Sequence, residues 1–147
     1  SYLKDWNKLL DSNLKDVELC SDKLDGDRKL YKHEDVYYLA SKEDEYLGHV
    51  EVRAYSGRSD IVYEKYTNSN LNGGFYIAMF NAIFKSTKIK EILSDIDLTD
   101  LAFKAYTNLN KKKAFDIQVI SPDGEYIPFS KKNFISDEMY RISIKQN

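Results

Sequence analysis

The sequence predicts an α/β (α+β) domain in which a mixed, mostly antiparallel sheet is flanked by helices. Three observations lead there. Three strand-like runs follow one another with short polar turns between them. A glycine-bearing loop then opens into a run of residues apolar on nearly every side, which reads as a buried helix. A further short strand after that helix makes a strand–helix–strand crossover, and such crossovers join parallel strands. With 147 residues, of which 42% are hydrophobic and 31% charged, residues 1–147 make one domain with a core and a solvated surface.

The elements follow in order. Leu3, Trp6, Leu9, Leu10, Leu14 and Val17 recur at helical spacing, so an amphipathic helix is expected over Leu3 to Leu19. Ser21 to Arg28, polar and containing Gly26, reads as a loop. The three strands are Val36 to Ala40, Tyr46 to Tyr55 and Asp60 to Thr67, broken by Lys42–Glu45 and by Ser56-Gly57-Arg58. The apolar helix covers Phe75 to Phe84, and Ile89 to Ser94 forms the crossover strand. Thr99 is placed to cap a helix reaching Asn110, with Leu101, Ala102, Ala105, Tyr106 and Leu109 on one face. Ala114 to Ile120, the turn Ser121-Pro122-Asp123-Gly124, and Tyr126 to Phe129 form a hairpin, and Met139 to Ile144 alternates as a last strand.

Charge and composition exclude several classes. The formal net charge is −2 with the signs interspersed, which is not the footprint of a nucleic-acid binder. Lys111-Lys112-Lys113 is a solvated helix end or, less ordinarily, a phosphate contact. Cys20 is the single cysteine, and His33 and His49 lack zinc spacing, so neither an internal disulfide nor a cysteine or histidine metal site is expected. No apolar run approaches a membrane span and no signal-peptide pattern opens the chain, so a cytoplasmic setting is expected. The 12 Tyr and 7 Phe serve half-buried strand positions or contact surfaces.

Chemistry concentrates where a strand runs through Asn70-Leu71-Asn72-Gly73-Gly74-Phe75 into the buried helix. Amides of a first helical turn have no intrahelical acceptor, and the helix dipole favours an anion there. Gly73 and Gly74 allow close backbone approach, although a plain flexible helix start uses the same residues. Further on, Thr99-Asp100-Leu101-Ala102-Phe103-Lys104-Ala105-Tyr106 is followed by Leu109 and Phe115. Across Val36 to Ile120 these segments resemble the GNAT superfamily of N-acetyltransferases. In that family a loop Q/R-x-x-G-x-G/A holds the pyrophosphate of acetyl-CoA on its amides, the next strand splays away, and a later helix carries N-x-x-A-x-x-x-Y. Asn70 stands for the family's Gln or Arg, Phe75 for its last small residue and Thr99 for its Asn; Ala102 and Tyr106 match. A Phe at that loop position is expected to crowd the pyrophosphate. The stretch from Ser94 to Leu109 also looks like small GNAT-like proteins of bacteriophages.

The resemblance implies an acetyl-CoA-dependent N-acetyltransferase acting on an amine of a small molecule or protein, in the cytoplasm of a bacterium or phage-infected cell. It assigns Tyr66, Asn70, Asn72, Gly73, Gly74 and Phe75 to acetyl-CoA, with the backbone N–H near Tyr66 steadying the oxyanion. It implies Tyr106 as the acid that protonates the departing thiolate, with Glu64 as the base. Read plainly, Glu64 is an exposed strand carboxylate and Tyr106 a core tyrosine. Asp95 and Asp97 read as a binding point for a cationic amine or as an ordinary acidic turn before a helix. The alternative is a GNAT scaffold that has lost its cofactor and works by binding a protein partner, as a virion component or inhibitor.

Overall fold

In chain order the described elements are α1 (Tyr2–Asp11), β1 (Glu18–Ser21), β2 (Lys29–His33), β3 (Val36–Ala40), β4 (Tyr46–Tyr55), β5 (Arg58–Ser69), α2 (Phe75–Ser86), β6 (Glu91–Leu93), α3 (Asp100–Lys111), β7 (Asp116–Ile120), β8 (Tyr126–Pro128) and β9 (Arg141–Lys145). They come from a computed structural model that describes residues 2–71 and 73–147. The chain divides into two units interleaved in sequence: Ser1–Arg53 with Tyr66–Thr87, and Ala54–Lys65 with Lys88–Asn147. The class is the expected one, α+β with mostly antiparallel pairing.

In the first unit β1, β2, β3 and β4 pair antiparallel in sequence order. α1 is held by its one tryptophan. Trp6 is 1% exposed, packs against the rings of Tyr31 and Tyr38 with centroids 5.4 and 5.0 Å away, and donates its indole N–H to the Asp44 carbonyl at 3.0 Å. The same Asp44 accepts from the Tyr31 hydroxyl and the Lys29 ammonium, so one turn residue anchors a helix and a strand. The expected helix to Leu19 is corrected here: it ends at Asp11, because Asn13 and Leu14 are left-handed at φ 58° and 56°. Leu14 and Val17 still face the core, but from the turn after the helix. Two strands, β1 and β2, went unread in the sequence; β1 begins inside the stretch assigned to the helix. α2 buries Met79, Phe80, Ala82, Ile83 and Phe84, as a helix apolar all round must, and packs against β1 and β2.

In the second unit the strands order β5-β6-β9-β7-β8. β5 and β6 are parallel, as the crossover required, and the remaining pairings of this unit are antiparallel. α3 begins where its cap predicts: the Thr99 hydroxyl accepts the Ala102 N–H at 3.1 Å. Its Phe103, Tyr106 and Leu109 are buried at three-residue spacing, and Phe103 stacks on Phe129 at 5.4 Å. No helix among the described residues is long and apolar enough to cross a membrane.

Candidate active site

β5 has a buried side at Val62 and Glu64, two residues apart, as strand alternation demands. Glu64 is therefore not the exposed strand carboxylate of the plain reading; it is 7% exposed. A buried carboxyl group needs a hydrogen-bond partner, and the partner comes from α3. Tyr106, 2% exposed, gives its hydroxyl to Glu64 Oε2 at 2.6 Å across 42 residues of sequence. That length is a close hydroxyl–carboxyl hydrogen bond. Tyr106 is thus both a core tyrosine of an amphipathic helix and the partner of a buried carboxylate.

The place of this pair along the strand matters. The parallel ladder joins Ile61 to Glu91, Val62 to Ile92 and Tyr63 to Leu93, and ends there. β5 runs on to Ser69, whereas β6 stops at Leu93 and the chain bends away, with the Ser94 N–H and hydroxyl both engaged on Ile142 of β9. Glu64 is the first residue of β5 past the end of the ladder.

The remaining assigned residues lie in the first unit. Tyr66 is 52% exposed and its ring stacks on His49, centroids 6.0 Å apart and planes 14° from parallel. His49 is fully buried, with its Nδ1 2.6 Å from the Tyr46 hydroxyl, and burial pushes its imidazole down to about 4. Asn70 ties the loop to β4: its backbone N–H reaches the Leu47 carbonyl at 2.9 Å and its side-chain amide the Tyr46 carbonyl at 3.3 Å. Asn72 lies outside the described residues. Gly73 and Gly74 are left-handed, at φ 85° and 71°, and no atom comes within 4 Å of where a Cβ would be at either. Gly74 is the N-cap of α2 and carries no side-chain cap, so the helix opens on backbone alone.

Phe75 is a correction. Instead of crowding the loop, its ring turns inward: it is 6% exposed and lies where a Cβ on Gly48 would stand, 2.4 Å from Cε1. Gly48, in the middle of β4, is the residue that sequence reasoning missed. A glycine inside a strand pattern marks close approach by another group, and that was the available signal.

Three grooves accompany these residues. In the first unit one of about 200 Å³ runs beside α2 past Gly74, Ala78, Asn81 and Arg28. Another of about 600 Å³ is lined by Asp5, Lys8, His33, Glu34, Tyr38 and Glu51. In the second unit a groove of about 230 Å³ takes in Asp97, Thr99, Phe134 and Asp137. Asp97 therefore borders a concave surface, in company with a second carboxylate.

No family model matches the sequence, and no curated protein matches it. Among solved structures the chain is similar to a diaminobutyrate acetyltransferase from Paenibacillus lautus in complex with L-2,4-diaminobutyric acid and coenzyme A, at 10% identity and TM-score 0.46, over 76% of this chain and 69% of that one. It is similar to the N-terminal domain of a ribosomal-protein-alanine acetyltransferase from Clostridium acetobutylicum, at 12% identity and TM-score 0.42, over 88% and 95%. A GNAT-family acetyltransferase from Bacillus anthracis follows at 14% identity and TM-score 0.39, over 75% and 63%. Identities and scores this low leave the chemistry to be argued from the chain's own residues.

Proposed function

We propose that this chain is an acetyl-CoA-dependent N-acetyltransferase of the GNAT type, transferring an acetyl group to an amine of a small molecule or protein. The observation that carries the reading is the buried Tyr106–Glu64 bond, at the two positions the resemblance assigns to acid and base. The opening of α2 supports it: Gly73 and Gly74 leave open space, no side chain among the described residues caps the helix, and the Phe75 ring is turned away. That donor set suits a pyrophosphate, with Phe75 contributing its backbone N–H and not its ring.

Acetyl-CoA supplies, when bound, an activated thioester carbonyl. Glu64 takes the proton that the attacking amine must lose, Tyr106 supplies the proton that the leaving sulfur needs, and the N–H near Tyr66 steadies the developing oxyanion. Acid–base groups so placed contribute typically about 10²–10⁴-fold to the rate.

A thermal-shift titration with acetyl-CoA tests the reading. At a hundred times its dissociation constant the ligand adds about 2.7 kcal/mol of stability. Gly74→Glu abolishes the shift, whereas Gly74→Ala, which meets the same left-handed backbone cost of about 1 kcal/mol, retains it at least in part. No shift at millimolar acetyl-CoA leaves the protein-binding scaffold as the reading, and a shift that survives Gly74→Glu moves the ligand away from the α2 opening.

A further inference from the structure

We infer that the groove beside α2 in the first unit is a binding site for a phosphate group, held by the side chains of Arg28, Asn81 and Lys85. The site goes beyond the acetyl-transfer reading and does not depend on it. One wall is a single face of α2: Gly74, Ile77, Ala78, Asn81, Ala82 and Lys85 line the groove at steps of three and four residues. That face is small or apolar except at Asn81 and Lys85, which lie one turn apart. The other wall comes from the segment before β2, where a single 3₁₀ turn over Asp25–Asp27 leads into Arg28.

The donors on these walls are unused. Of the chain's four arginines, Arg53 reaches Asp35, Arg58 reaches Asp60 and Arg141 reaches the Ser94 carbonyl. Arg28 reaches no acceptor among the described residues, although the next residue, Lys29, is tied to Asp44 at 3.0 Å. Lys85 has no ion pair and the Asn81 amide no hydrogen bond among the described residues either. Arg28 and Asn81 are moreover half-buried, where polar groups are ordinarily matched.

Charge and size name the ligand. Two cations face one carboxylate, Asp25, which lines the groove without pairing with either of them, so the lining is positive on balance. A guanidinium fork, an ammonium and an amide are the donors that hold phosphate, one for each terminal oxygen of a monoester, whereas a carboxylate would leave one of them idle. The volume of about 200 Å³ lies below the roughly 300 Å³ at which pockets begin to enclose a whole drug-sized molecule, so the groove takes the phosphate end of a ligand and leaves the rest outside. The monoester has two possible sources: the nucleotide end of an acyl donor such as acetyl-CoA, whose ribose carries a 3′-phosphate, or an independent phosphorylated small molecule.

Inorganic phosphate is the probe. Titrated into ¹⁵N-labelled protein at constant ionic strength, it is expected to move the Asn81 side-chain amide and Arg28 Nε–H resonances along one saturable curve. Arg28→Gln and Lys85→Gln are each expected to weaken binding about tenfold, as loss of a hydrogen bond between charged groups does. Asp25→Asn is expected to tighten it by removing the repelling charge. No saturable movement at either wild-type resonance overturns the site, as do equal affinities for wild type and Arg28→Gln or weaker binding in Asp25→Asn. Competition then identifies the source. Displacement of phosphate by CoA but not by CoA lacking its 3′-phosphate makes the acyl donor the occupant, and phosphate that stays in place while CoA binds makes it a separate molecule. Displacement by both forms alike puts the probe on the α2 opening and overturns the inference. Phosphate binding with no response to either form keeps the site and removes the acetyl-transfer reading.

Discussion

The two units bury polar chemistry in opposite ways. The first hides a neutral base: His49 sits among Tyr38, Tyr46 and Tyr66 rings, and desolvation keeps it uncharged. The second hides two carboxylates, each answered by a tyrosine hydroxyl. Glu91, 5% exposed, accepts from Tyr126 at 2.8 Å and from Ser143 at 2.5 Å, while Glu64 accepts from Tyr106 at 2.6 Å. The two carboxylates also differ from each other. Glu91 lies inside the ladder, opposite Ile61 on one side and Lys145 on the other, and ties β8 and β9 to β6. Glu64 lies just past the ladder's end and is tied to a helix. The same pair of residue types is thus a strut where strands continue and a candidate for chemistry where they part.

The largest expected effect separates these two carboxylates. Glu91→Ala strands the fully buried Ser143 hydroxyl and opens a cavity, and is expected to cost about 3 kcal/mol in urea unfolding. Glu64→Gln keeps an acceptor for Tyr106 and is expected to cost under about 1 kcal/mol in stability and, on the proposed acetyl-transfer reading, to lower turnover sharply. Equal stability losses would erase the distinction between strut and site.

The next effect tests the neutral base. Because the folded His49 value is depressed to about 4 from 6.5, its contribution is present above pH 6.5 and is lost as pH falls toward 4. The loss is on the order of 3 kcal/mol over that window, read as a falling urea midpoint. His49→Gln is expected to flatten the curve; an unchanged acid limb would place the lability elsewhere.

A smaller loss is expected from Gly48→Ala in the first unit. Its Cβ would meet the Phe75 ring at 2.4 Å and the Asn68 carbonyl at 2.9 Å, and overpacking of this kind costs about 2 kcal/mol. Tm measured with Phe75→Leu in the same background checks it, since the smaller side chain should relieve part of the loss. The smallest effect is spectroscopic. Burial and the bond to Glu91 push the Tyr126 phenol up to about 12. Its phenolate absorbance should therefore rise late in an alkaline titration, beside that of Tyr37, which burial also pushes up to about 12, and Tyr126→Phe should reduce the amplitude of that late step without abolishing it. The associated stability is present below pH 10 and is lost as pH climbs through 12.

Much of the fold was legible because it is written locally. The α2 run is apolar on every side, the Thr99 hydroxyl cap needs only the next turn, and the β5–α2–β6 order forces a parallel pair. β1 and β2 were not legible: they are short, and Lys29, Lys32 and His33 in β2 carry no clean alternation. The end of α1 was missed because Leu14 and Val17 continue the helical spacing after the backbone has turned. Of the candidate site, the loop glycines stand out by their place before an apolar helix, and Tyr106 is singled out only by the resemblance. The burial of Glu64 could not be read, since strand alternation says which residues share a face but not which face is covered.

The sequence by itself determined most of the element types, from α2 and its crossover to the Thr99-capped α3, because periodicity and capping act over a few residues. Tertiary structure alone decided that Glu64 meets Tyr106 across 42 residues, that Phe75 points at Gly48, and that the β5–β6 ladder stops at Tyr63. Those outcomes depend on which distant surfaces exclude water together, and no local pattern encodes that.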